Sequence, residues 1–239
     1  VHRSRTHEDF ADLEGLLTRV RLRDEELLDV HAQLGRVIGV ERMLGVDEGR
    51  RTTRALRVGD HMEADALVKE YTGAKVMAMD QDVAALKAMR PGGKEHPIDR
   101  VLKDGDKVTL GGVTLTANLT AGHTAGCTSW TFQAEDAGKR YDVLIVCSVG
   151  VNANYVLVGD KRNYPSIVED YRKSFARVRA MKVDVFLGAH PNFYDMEAKY
   201  AKLSAGGPNP FIDPAGLKAY VDQKEREFND MLRKQQTTK

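Results

Sequence analysis

His123 sits inside Thr120-Ala121-Gly122-His123-Thr124-Ala125-Gly126, a glycine-flanked turn between two runs, VTLTANL and CTSWTF. An imidazole in such a turn is most often a surface or hydrogen-bonded group, so any chemistry there depends on partners. Two stretches supply candidates. Downstream, the apolar run VDVFLGAH ends in His190 and is followed at once by Pro191. Upstream, Asp60-His61 stand just before MEADALVKEYTGAK. Ring nitrogens and a carboxylate are donor types that hold a divalent metal or move a proton.

The elements that must position these residues can be read from periodicity. VTLTANL and CTSWTF alternate with period 2, which predicts two half-buried strands, and the glycines permit a tight loop holding His123 at the mouth of a sheet. Residues 183–190 read as a strand buried on both faces, with His190 at its carboxyl end. Ala64, Leu67, Val68 and Tyr71 recur at helical spacing and Gly73 closes that pattern, so Asp60-His61 precede a helix. Further along, 75–79 predicts a strand, 82–89 a short helix and 90–93 a loop. Lys103-Asp104-Gly105-Asp106 predicts a hairpin turn joining 101–102 to 107–110. YDVLIVC is another buried strand; 167–180 carries a helical stripe of Ile167, Val168, Tyr171, Phe175 and Val178; 215–232 is an amphipathic helix with Pro214 at its start. Strands and helices alternate, which gives an α/β class.

Composition narrows the partners. A chain of 239 residues, 42% hydrophobic and 30% charged, suits one sizeable core. Its formal net charge of +1 favours neither nucleic acid nor a membrane surface. No apolar run approaches the ~18 residues of a membrane span. The N-terminal VHRSRTHEDF has no apolar core of a signal peptide. Cys127 and Cys147 leave one intramolecular pairing. Each lies in an apolar strand pattern, for which buried free thiols are the commoner reading, and neither is spaced as a zinc site.

The order DH, helix, GAKV, DGD, GGVTLTANLTAGHTAGCTSW, VCS, GAHPNF and NPFIDPAGLKAYV resembles the metallo-β-lactamase superfamily, and within it the third subclass of zinc β-lactamases. The resemblance runs from about Asp60 to the C-terminus. It implies a four-layer αββα sandwich and a zinc-dependent hydrolase that opens the ring of β-lactam antibiotics with metal-bound hydroxide, hence antibiotic resistance and a periplasmic or secreted location. It further implies that Asp60, His61 and His190 hold the second zinc, Asp60 being the catalytic residue among them. His123 would join two histidines of an HxH motif at the first zinc, and Ser148 would help hold the substrate carboxylate. A strand-end serine satisfying a backbone group is the plainer reading of Ser148. The expected partner is a small β-lactam; a thioester or lactone hydrolase, or a non-catalytic metal-binding relic, are the alternatives.

The resemblance does not reach residues 1–57, an atypical N-terminal segment set against a domain over 58–239. Those first 57 residues hold 11 arginines and no lysine, against 9 arginines and 16 lysines in the remainder. They lack Pro, Asn, Tyr and Trp, and Phe10, Leu13, Leu17 and Val20 read as helix where the family has strands. Two explanations stand open: a divergent or engineered helical segment, or a stretch encoded out of frame. Written ACA CGC GCA CTN, Thr53-Arg54-Ala55-Leu56 becomes His-Ala-His one nucleotide along. As the chain stands, the HxH positions counted back from Asp60 are Leu56 and Val58, which cannot bind a metal. One zinc, where the intact family holds two, and impaired turnover are therefore expected. Because the pattern of 1–57 conflicts with the sheet the family needs, hydrogen exchange there should be faster than over residues 113–147. Slow exchange throughout residues 8–46 would instead mark an evolved helical segment.

Overall fold

A computed structural model describes residues 65–90, 95–136 and 138–237. Asp60, His61, Leu56, Val58 and the whole of 1–57 lie outside the described residues, as do the helical and out-of-frame readings made of that segment. In chain order the elements are α1 (Asp65–Thr72), β1 (Met77–Met79), a 3-10 turn (Asp80–Asp82), α2 (Val83–Met89), β2 (Arg100–Leu102), β3 (Lys107–Leu110), β4 (Val113–Leu119), β5 (Thr128–Asp136) and β6 (Lys139–Val146). There follow α3 (Ile167–Ala180), β7 (Val185–Gly188), a 3-10 turn (Pro191–Phe193), α4 (Met196–Ser204) and α5 (Pro214–Thr237).

The sheet β3-β4-β5-β6-β7 is antiparallel except for the parallel β6–β7 pair, while β1 and β2 form a separate parallel ladder. Period-2 alternation sends side chains to both faces. Leu144, Val146 and Phe186 meet α3 and α5 in one core, with Tyr171, Phe175, Val221 and Phe228 at 0% exposure. The rings of Tyr171 and Phe228 lie 5.0 Å apart and Phe175 meets Phe228 edge-on at 5.5 Å. On the opposite face Leu115, Ala117 and Trp130 pack with Met79 and Leu102 of the small ladder. Ala117 pairs with Trp130 across β4 and β5, a small residue making room for a large one. Each fully buried ring contributes on the order of 2 kcal/mol, so the two faces together anchor the sheet.

Several expectations change. The Asp-Gly turn joins no hairpin, since β2 pairs with β1 and β3 with β4. Its groups go instead to the end of β4: Asp104 Oδ1 accepts the Leu119 N–H at 2.8 Å, Gly105 N–H donates to Ala117 O at 2.8 Å, and Asp104 Oδ2 meets Arg177 at 2.8 Å. The hairpin lies one step on, at Gly111-Gly112, whose φ of 55° and 81° suit the tight turn into β4. The strand at β7 is not buried on both faces: it is the edge of the described sheet, and of its residues only Phe186 is buried. Helix α4 escaped the sequence pattern because its one buried residue is Lys199, a charge at a core position.

That lysine explains part of NPFIDPAG. Lys199 Nζ meets Asp213 Oδ2 at 2.9 Å, while Asp213 Oδ1 accepts the Gly216 N–H at 3.0 Å and so caps α5, with Pro214 as its first residue. A Cβ on Gly216 would come within 2.5 Å of that carboxylate. The Lys199 ammonium holds the Asp213 carboxyl below its ordinary value near 3.8. A lowered folded-state value means that the stabilisation is fully present above the unfolded value and is lost as pH falls through the folded one. Asp213→Ala should cost ~1–2 kcal/mol for the cap at neutral pH. In urea titrations the gap between wild type and variant should narrow below pH 3.8; a gap independent of pH would remove the charge from the account.

Candidate functional site

Topology gathers three of the sequence-predicted residues at one edge of the sheet. His123 follows the carboxyl end of β4, Ser148 that of β6 and His190 that of β7. Because β4 and β6 both run antiparallel to β5, and β7 runs parallel to β6, those three ends are the same end. Asp60 and His61 are not among the described residues, so their approach to His190 stays an expectation.

The loop 120–126 is buried at both of its ends yet has no regular structure, so its backbone needs partners from elsewhere. Thr120, at 0% exposure, has its N–H on Cys127 O at 2.8 Å, and its hydroxyl meets Ser129 Oγ at 2.7 Å. Ser129 Oγ in turn accepts the Cys147 N–H at 3.0 Å. Ser174 of α3 donates to Ala121 O at 2.6 Å. Gly122, at φ 149°, lies against the ring of Tyr171, where a Cβ would come to 2.7 Å. Tyr155 donates its hydroxyl to His123 O at 2.7 Å and lies 3.3 Å from His123 Nδ1. With the phenol proton committed to the carbonyl, its lone pair favours a proton on Nδ1, which leaves Nε2 as the acceptor nitrogen of the ring. Asp82 takes the other side: Oδ2 accepts the Thr124 hydroxyl and Oδ1 the Gly126 N–H, each at 2.6 Å. Burial pushes the Asp82 carboxyl up, against those two hydrogen bonds and the nearby His123 charge.

Gly126 has a different purpose from the one expected. Only Gly122 of the pair has a positive φ; at Gly126 a Cβ would meet Asp82 Cγ at 2.6 Å, so the glycine provides room for the carboxylate. Neither Asp82 nor Tyr155 was identified in the sequence reading. Asp82 stands beside Asp80 in MDQDV, far from the loop in sequence, and nothing in its spacing marks it out.

His190 is seated by Phe193, whose N–H donates to His190 O at 3.0 Å and whose ring meets the imidazole edge-on at 5.1 Å. Gly188 leaves space for that ring, since a Cβ there would come to 2.8 Å. Ser148 Oγ accepts the Gly150 N–H at 3.2 Å, the plainer role expected of it. Accepting that bond leaves the hydroxyl proton to be donated elsewhere.

No family model matches the sequence. Solved structures do. The chain is 43% identical to the FEZ-1 metallo-β-lactamase from Legionella gormanii, with a TM-score of 0.69 over 74% of this chain and 72% of that one. It is 41% identical to BJP-1, a subclass B3 metallo-β-lactamase of Bradyrhizobium japonicum, with a TM-score of 0.69 over 75% and 70%. The chain belongs to the metallo-β-lactamase superfamily. A Cronobacter sakazakii metallo-β-lactamase described by a HARLDQ motif is also similar, 33% identical over 74% of this chain and 70% of that one, with a TM-score of 0.64. The fold class expected of the αββα sandwich holds with them.

For this chain the metal question divides in two. Among the described residues no three His, Cys, Asp or Glu side chains group as a metal site. Asp60, His61 and His190 are nonetheless the N and O donors that hydrolytic zinc takes, so this set fits zinc by its chemistry. At the first site His123 is the described residue; Leu56 and Val58, expected as its partners, lie outside the described residues and have hydrocarbon side chains that offer no metal donor.

The cysteines are corrected here. Cys127 and Cys147 are not free thiols but a disulfide, with Cα atoms 5.9 Å apart. Two strand patterns that each bury a thiol become neighbours once β5 and β6 pair, and the bridge then links the His123 loop to the residue before Ser148. Replacing both cysteines by serine should cost about 3 kcal/mol, the loop-closure value for a ring of this size. Urea unfolding with and without reductant would measure it, and an unchanged midpoint would remove the bridge from the stability account.

Proposed function

We propose that this chain is a zinc-dependent hydrolase that opens the β-lactam ring, with a single zinc held by Asp60, His61 and His190, and that its turnover is weak. The observation that carries this reading is the placement of His123, Ser148 and His190 at one end of the sheet in a chain more than 40% identical to FEZ-1 and BJP-1. Zinc in such a set lowers the pKa of water towards ~7 and polarises a carbonyl. The chain's own groups do the remainder. Ser148 offers its hydroxyl proton to the substrate carboxylate while Gly150 fixes its oxygen. Phe193 holds the His190 ring in one orientation. Each missing electrostatic contact of this kind costs ~10²–10³ in rate, which is why the absence of histidines at Leu56 and Val58 makes the enzyme slow.

A non-catalytic relic is the second reading, favoured by the same two hydrocarbon side chains. Metal analysis after dialysis separates the cases. One zinc per chain is expected, lost in His190→Ala; a value near two would overturn the assignment of the first site, and none would favour the relic. Leu56→His with Val58→His should raise zinc uptake and nitrocefin turnover together. If both stay flat, the defect lies in the whole N-terminal segment.

A further inference from the structure

Asp82 holds a position at which its side chain has a nearer use. It is the last residue of the 3-10 turn that runs into α2, and its side chain makes no hydrogen bond to the helix that follows. Both carboxylate oxygens reach across to the 120–126 loop instead, one to the Thr124 hydroxyl and one to the Gly126 N–H. The loop is shaped to receive it, because any side chain at Gly126 would occupy the space of Asp82 Cγ, Cβ and N. Those two bonds fall on residues 124 and 126, immediately after His123, while Tyr155 holds the His123 carbonyl from the opposite side.

We propose that Asp82 is a positioning residue for His123: its two-point grip on Thr124 and Gly126 fixes the turn so that the imidazole is presented to the site in one orientation. Asp82 acts through the loop and touches no reacting atom. The inference rests on the proposed function only in taking His123 as a group of the site.

Long-range proton–nitrogen spectra of the full-length 15N-labelled chain, with His123 assigned by its disappearance in His123→Gln, test this without zinc or substrate. Wild type should give one His123 ring pattern dominated by one tautomer. Asp82→Ala should broaden or split that pattern while His96 and His190 keep theirs. Asp82→Asn should restore it, because the amide oxygen can accept from Gly126 and the amide nitrogen can donate to Thr124. If Asp82→Ala fails to fold, Thr124→Val, which removes one bond at nearly constant volume, takes its place with the same expectation. An unchanged His123 pattern in a folded Asp82→Ala or Thr124→Val protein overturns the proposal, as does Asp82→Asn behaving like Asp82→Ala. In the Leu56→His, Val58→His background, Asp82→Ala should weaken the zinc added at the His123 site about tenfold and leave the zinc of Asp60, His61 and His190 unchanged. If that background takes up no added zinc, the defect lies in the N-terminal segment, and the ring spectra still decide the role of Asp82.

Discussion

A buried irregular loop is the constraint around which this molecule is arranged. Seven residues carry the central histidine through a region mostly shielded from water, where an unsatisfied backbone group costs ~1–3 kcal/mol. The solution draws on nearly every neighbouring element: Ser174 and Tyr171 from α3, Asp82 from the start of α2, Tyr155 from the segment after β6, and Ser129 from β5. Asp104 and Arg177 secure the preceding residue, Leu119, from outside. The hydroxyl relay is closed: Cys147 N–H to Ser129, Ser129 to Thr120, Thr120 to Cys127 O. A network with every member satisfied is rigid, and a loop held this way keeps its shape from protein groups alone.

The layers make such a loop affordable to the fold. Apolar contacts on both faces of the five-stranded sheet supply the main stabilisation, and they set the distances over which the polar braces reach. Tyr171 shows the coupling. Its ring stacks in the aromatic core with Phe175 and Phe228, its edge receives Gly122, and its hydroxyl donates to Gly150 O. One side chain thus joins the core to both the His123 loop and the segment bearing Ser148. Desolvation in that setting pushes the Tyr171 phenol well above its ordinary value, so it remains a neutral donor.

Much of this was legible in the sequence because it is local. Period-2 runs marked β4 and β5 and the apolar run YDVLIVC marked β6; the stripe from Ile167 to Val178 marked α3 to the residue; Pro214 marked the start of α5. The placement of His123 in a glycine-flanked loop and of His190 after a strand was legible in the same way. What was not legible depends on pairing between distant segments. The partner of the Asp104 turn is β4 and not β2, and only the sheet order decides that. The disulfide needs β5 beside β6. Helix α4 was hidden by a buried lysine whose partner, Asp213, lies on the far side of a loop. Asp82 and Tyr155 became site residues only when the chain brought them to the loop.

The division between what the chain holds and what it lacks follows from the same geometry. Every brace named for the His123 loop comes from residue 82 or beyond, so the half of the site on the five-stranded sheet is built by the segment that resembles its relatives. Leu56 and Val58, the positions at which the sequence resemblance expects histidines, lie outside the described residues. Folding of the first half is driven by cores that include no metal ligand, and His123 is oriented by Tyr155 at its carbonyl and ring and by the hydrogen bonds to its neighbours. A chain of this design holds its architecture and the His123 loop with residues that are not metal ligands. Fold and metal binding are therefore separable here, because different residues carry them.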